Sequence, residues 1–213
     1  GWAENFSAKT LAGKIPLRGI FAASGRARCR TMSDTRPSRP QPTPVTRLFE
    51  GGAESPNNPT LPVVIHRDVL AGRTPQAVCA AMEANGWGGT WVWTVFDYHH
   101  YHPDAHEALT VASGEARLRL GGPGPEGEDV DVAAGDCLIL PAGTGHCRLS
   151  QSDDFRICGA YPPGQQDFTT RRAGPDAGRD ASVIAAVALP ETDPIFGRDG
   201  PLPRLWAEAI SRG

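Results

Sequence analysis

At 213 residues and a formal net charge of −3, the chain has the length for one β-barrel core with an attached tail and carries no positive excess suited to a nucleic-acid surface. No Lys/Arg stripe interleaves with aromatic residues, which removes the platforms that nucleic acids need. No apolar run approaches the ~20 residues of a membrane span, since even Leu138 to Leu140 ends at Pro141.

Residues 1–31 hold six basic residues and one acid, Glu4, and Arg18 interrupts the apolar stretch from Ile15 to Ala23. This is unlike a signal peptide. Met32-Ser33-Asp34-Thr35 reads as a natural start, so residues 1–31 are expected to lie outside the native chain, with a basic transit-like segment as the alternative. Pro, Ser, Thr and Arg dominate residues 33–46, and a flexible extension is expected over residues 1–45. A barrel domain at 46–170 and a C-terminal extension at 171–213 that packs on it complete the expected organisation. Five cysteines, Cys29, Cys79, Cys137, Cys147 and Cys158, form an odd set without CxxC pairing. Reduced thiols and a cytoplasmic location are expected. Cys137, Cys147 and Cys158 lie in strand-like runs, where a free cysteine acts as a small apolar residue.

An early strand at Val63–Ile65 leads to His66, which has no companion in the sequence and reads as a packed residue. Thr74 then Pro75 supply an N-cap and first helical position, Val78, Ala81 and Met82 share a face, and Asn85-Gly86 ends the run. The result is a helix of about three turns on the outside of the barrel. From Trp91 the period becomes two. Both faces of Trp91 to Phe96 are apolar, so its outer face needs a cover; the N-terminal segment or the helix would serve, and a homodimer is the preferred expectation. Ala116, Leu118 and Leu120 alternate with Glu115, Arg117 and Arg119, the mark of a half-buried antiparallel strand. Gly121 to Gly127 is a turn cluster, after which Val130 and Val132 alternate with acids. Further strands are expected at Cys137–Leu140 and Phe155–Ala160, and Leu205 to Ile210 reads as a short docking helix. Short strands separated by turns predict an all-β fold: a single antiparallel β-barrel or jelly roll with a few short peripheral helices.

One constellation carries chemistry. His100 and His102 point to the same side of a strand, Pro103 and Asp104 are turn residues, and a tight reversal there is expected to return Glu107 on the neighbouring strand of a hairpin. Pro141, Gly143 and Gly145 permit a bent strand end that aims His146 inward. Three imidazoles and a carboxylate suit one divalent transition metal such as Fe, Mn, Ni or Zn, and leave an octahedral ion about two free sites for water, dioxygen or a small-molecule ligand. His106 is expected to turn away from the ion, to its surroundings or to the surface, and His99 faces opposite His100. Tyr98 shares the parity of His100, so Tyr98, with Arg148 and Arg156 as carboxylate anchors, is a candidate for the substrate pocket.

The blocks His100-Tyr101-His102-Pro103-Asp104-Ala105-His106-Glu107 followed by Gly114, and Gly135 through Pro141, Gly143 and His146, resemble the two signature motifs of the cupins, HxHx4Ex6G and Gx5PxGx2H. Ser150 stands where the second motif commonly carries Asn. The run Trp87 to His100, the stretch Gly159-Ala160-Tyr161-Pro162 and the tail around Asp193-Pro194 and Leu205-Trp206 extend the resemblance, over residues 46–210, to the YjlB-like branch. The resemblance implies the fold and the metal site more than a reaction.

The expected function is that of a metal-dependent oxidoreductase, dioxygenase-like, acting on a small organic molecule. The alternatives are a non-catalytic metal-dependent binding protein, a metal-dependent isomerase or decarboxylase, for which no acid or base stands out, and a structural metal that only staples the fold, which would more usually be held by thiolates.

Overall fold

A computed structural model of the chain describes residues 42–212; the expectations for residues 1–31, and for nearly all of the 1–45 extension, lie outside the described residues. Strands β1 (Val45–Arg47) and β2 (Val63–His66) precede helix α1 (Pro75–Ala84) and strand β3 (Gly88–Trp93). Then follow β4 (His100–Tyr101), β5 (Glu107–Ser113), β6 (Glu115–Leu120), β7 (Glu128–Ala133), β8 (Cys137–Leu140), β9 (His146–Gln151), β10 (Arg156–Tyr161) and β11 (Arg171–Arg172). Two further helices, α2 (Ala181–Ala185) and α3 (Pro201–Arg212), lie in the C-terminal segment.

The strands pair antiparallel in two sheets, one of six strands ordered β1-β2-β8-β5-β10-β3 and one of five ordered β11-β4-β9-β6-β7. This is the all-β jelly roll with short peripheral helices that the strand pattern predicts. Its two sheets stay separate and do not close into one continuous hydrogen-bonded barrel.

The sheets differ in cover, and their sequences reflect it. In β5, Leu109 and Val111 point into the core between the sheets with Leu118, Leu120, Leu138 and Phe155, while Ala108 and Ala112 point out to Val78, Met82, Leu202 and Trp206 of α1 and α3. A strand buried on both faces has no need of polar alternation, which is why β5, β8 and β10 read as nearly continuous apolar runs. The five-stranded sheet is covered on one side only, so β6 and β7 keep the strict alternation read from sequence. Helix α1 begins and ends as predicted: Thr74 Oγ1 accepts from Ala77 N at 3.3 Å, Pro75 opens the first turn, and Gly86 takes a positive φ of 88° after Asn85. The docking helix at the C-terminus is also present, fixed by buried Leu202 and by the Trp206 indole, which donates to Pro62 O at 2.9 Å. Cys137, Cys147 and Cys158 are buried free thiols, as expected of small apolar residues.

His66 does have a companion, which its sequence neighbourhood could not reveal. Its Nε2 lies 2.9 Å from Asp193 Oδ2, and both side chains are fully buried. Asp193 Oδ1 also accepts from Ile195 N and Phe196 N, so this pair pins the C-terminal segment to β2.

Candidate metal centre

His100 and His146 are direct cross-strand partners of β4 and β9, and their rings stand 4.1 Å apart. His102 follows β4, with its carbonyl held by Gly143 N at 2.8 Å. Gly143 has a positive φ of 88°, and a Cβ there would press on Asn57 O and Ile184. Glycine is therefore required where the chain bends into β9. One ligating atom from each of His100, His102 and His146 lies within 4.8 Å of the others, and all three side chains are buried.

The hairpin expected around Pro103-Asp104 is corrected by the sheet order. β4 belongs to the five-stranded sheet and β5 to the six-stranded one, so residues 102–106 carry the chain across the gap between sheets. Glu107 reaches the histidines from the facing wall, its Oε2 standing 3.5 Å from His102 Nε2 and 3.4 Å from His146 Nε2.

The ring tautomers follow from their partners. The Nδ1–H groups of His100, His102 and His146 donate to the carbonyls of Tyr98 (3.1 Å), Thr169 (3.0 Å) and Thr144 (3.0 Å). A carbonyl only accepts, so in each neutral ring the proton sits on Nδ1 and the Nε2 lone pair is free. Glu107 Oε1 accepts from Tyr161 OH at 2.8 Å, and Tyr161 in turn accepts from Trp91 Nε1 at 2.9 Å. Glu107 Oε2 is left buried without a hydrogen-bond partner. The three imidazoles cluster together, and the orphaned carboxylate oxygen lies within 3.5 Å of two of them, a donor set that fits a divalent cation.

Burial chiefly, helped by His146 and His102, pushes His100 down to about 2 and keeps it neutral. Burial alone would raise the Glu107 carboxyl, but His102 and His146 outweigh it and hold the group well below its usual range. Burial likewise opposes charge on His102, and Glu107 with the Thr169 carbonyl overcomes it, leaving the ring above its ordinary value. Tyr161 is raised by burial and by Glu107, so its hydroxyl remains a donor.

A cavity of about 210 Å³ opens onto the cluster, lined above it by Trp91, Trp93, Phe96, Leu109 and Phe168 among others. Of the residues expected at a substrate pocket, Tyr98 stacks on Phe96 at 4.7 Å beneath the Arg172 guanidinium, while Arg148 Nε donates to Val95 O and Arg156 donates to Phe155 O. None of these three lines the cavity. His106 turns away from the cluster, as expected, but is fully buried: its Nδ1 accepts from Ala142 N at 2.9 Å, it packs on Trp206, and burial pushes it down to about 4. His99 faces the other way, 3.3 Å from Cys147 Sγ.

Trp91 and Tyr161 are the site residues that sequence reasoning missed. Their signal was Gly159, the inward position of β10 between Ile157 and Tyr161. It pairs with Trp91, and a Cβ there would overlap the Trp91 indole.

A family model described as the cupin domain matches residues 94–154. Over 164 residues the chain is 36% identical to the uncharacterized protein YjlB of Bacillus subtilis strain 168, covering 76% of this chain and 96% of that one. The chain belongs to the cupins, in the YjlB-like branch. Among solved structures, this cupin is similar to an uncharacterized Klebsiella pneumoniae protein with a double-stranded β-helix domain, at 20% identity and a TM-score of 0.32, over 71% of this chain and 98% of that one. It also matches an oxalate decarboxylase of Bacillus subtilis at 16% identity and a TM-score of 0.30, over 52% of this chain and 22% of the decarboxylase. Among the described residues of this cupin, no helix is long and apolar enough to cross a membrane.

Proposed function

We propose that this cupin is a metal-dependent oxidoreductase of the dioxygenase type acting on a small organic molecule, with His100, His102, Glu107 and His146 holding one divalent transition metal, Fe, Mn, Ni or Zn. The observation that carries this reading is the convergence of three fixed Nε2 lone pairs and the unpartnered Glu107 Oε2 at the floor of a cavity. When bound, the ion supplies Lewis acidity or, if iron, oxygen activation. The chain's own residues fix the donors, exclude water with an aromatic wall, and leave room for a ligand.

The cavity favours this over the isomerase or decarboxylase reading. Its titratable lining consists of the proposed ligands and Tyr161, whose hydroxyl is engaged with Glu107 and Trp91. Among the described residues, reactions that need a protein acid or base find none there beyond these groups. A purely structural zinc is disfavoured by a donor set without thiolate and by the open space above it. The exposed Val92 of β3, at the edge of the six-stranded sheet and not part of the cavity lining, supports a homodimer. Buried free thiols support a cytoplasmic location.

Metal analysis of protein purified without a histidine tag, followed by oxygen uptake over a library of small acids, phenols and thiols, tests the proposal. Iron or manganese with substrate-dependent uptake is the expected result. Tightly held zinc whose removal unfolds the chain, with no uptake, would overturn it.

A further inference from the structure

We infer that the metal centre takes a single-ring aromatic ligand whose hydroxyl oxygens bind the ion, a phenol or catechol, and not a small aliphatic diacid. This rests on the metal reading above and goes beyond it by naming the substrate class.

The wall above the cluster is built from Trp91, Trp93, Val95, Phe96, Leu109 and Phe168, with Thr94 and Thr170 as its uncharged polar groups. Among the described residues, no arginine or lysine lines it. The nearby guanidinium groups are engaged elsewhere, Arg148 with Val95 O and Arg172 at 3.5 Å over the Tyr98 ring. A diacid, even one that chelates the ion through both carboxylates as oxalate does, would bury its outer carboxylate oxygens against indole and phenyl surface without a partner, a cost of several kcal/mol in general. A ring makes the opposite exchange, because it removes its own apolar area and that of the wall from water.

Size and shape point the same way. An apolar cavity of about 150 Å³ admits benzene, and the space here is about 210 Å³, enough for one substituted ring. The wall presents ring faces and edges already set against each other: Phe168 stacks on Tyr161 at 4.2 Å and meets His102 edge-on at 4.7 Å, and Trp93 meets Phe96 edge-on at 5.3 Å. Trp93 is 55% exposed although it lines the cavity, so its indole is free to cover a ligand that enters.

The test uses the full chain loaded with cobalt(II), with catechol and oxalate as probes. Binding is read from the visible cobalt bands and from tryptophan fluorescence, and metal content is measured again after each titration. Catechol should bind about tenfold or more tighter than oxalate. Trp93→Ala should weaken catechol by about three- to tenfold and leave oxalate unchanged, while Trp93→Phe should stay within about twofold of the parent. Stoichiometric cobalt with oxalate bound as tightly as catechol, or with catechol indifferent to Trp93→Ala, would overturn the inference and leave the metal reading standing. Failure of the parent chain to take up cobalt would overturn the metal reading, and the inference with it.

Discussion

Tyr161 donates its phenolic hydrogen to Glu107 Oε1 at 2.8 Å, and the opposite carboxylate oxygen is thereby the one that faces His102 and His146. A hydroxyl on one sheet strand thus decides which way a neighbouring carboxylate presents its lone pairs.

Tyr161→Phe removes that hydroxyl, leaves Glu107 Oε1 and Trp91 Nε1 without their partner, and lets the carboxylate rotate. Metal affinity should fall by about 10- to 100-fold. Competition against a chromophoric chelator measures it, and an unchanged affinity would show that Tyr161 does not position Glu107.

Gly159→Ala places a methyl group into the Trp91 indole. Overpacking of this kind costs about 1–3 kcal/mol. Urea denaturation should report a lower midpoint together with altered tryptophan emission. Emission and midpoint both equal to the parent would mean that the indole does not occupy the gap at Gly159.

Asp193→Ala leaves His66 buried without its partner and frees the backbone N–H groups of Ile195 and Phe196. A loss of about 3–5 kcal/mol is expected from breaking one side of a buried pair. Proteolysis should then release the C-terminal segment before the sheets are cut. A variant as resistant as the parent would assign the anchoring to Trp206 and Pro62 instead.

Burial, reinforced by the neighbouring Cys79, pushes the Cys158 thiol up to about 12 from an ordinary 9.0. Its folded pKa is the higher one, so the folded chain holds this proton while the unfolded chain loses it. The stabilisation is complete below pH 9 and is lost as pH rises from 9 towards 12. Cys158→Ala should flatten the alkaline limb of a thermal-melt pH profile. Iodoacetamide at pH 9 should modify Cys158 only after unfolding, and rapid native labelling would contradict the assigned burial.

How far the chain could be read in advance depended on the distance over which each feature is encoded. The caps of α1, Thr74 and Asn85-Gly86, are local, and so is the alternation of β6, whose outer face meets water. The spacing of His100, His102, Glu107 and His146 was legible because strand parity and turn residues act over a few positions. The hairpin expectation failed because nothing local distinguishes a tight reversal within one sheet from a crossing between two. The pairing of His66 with Asp193 spans 127 positions, and the contact of Trp91 with Tyr161, between the paired strands β3 and β10, spans 70. Both are settled by topology alone. Gly159 was the one local clue, an absent side chain among inward-facing residues.

The imidazoles of His100 and His146 hang from the five-stranded sheet and the Glu107 carboxylate from the six-stranded one, so the spacing between the two walls sets the geometry of the proposed metal site. Leu118 and Leu138, which pack between those walls, act as a spacer for the proposed ion without lining its cavity. Enlarging either would widen the bite of the ligands and shift selectivity among metals of different radius, through packing alone.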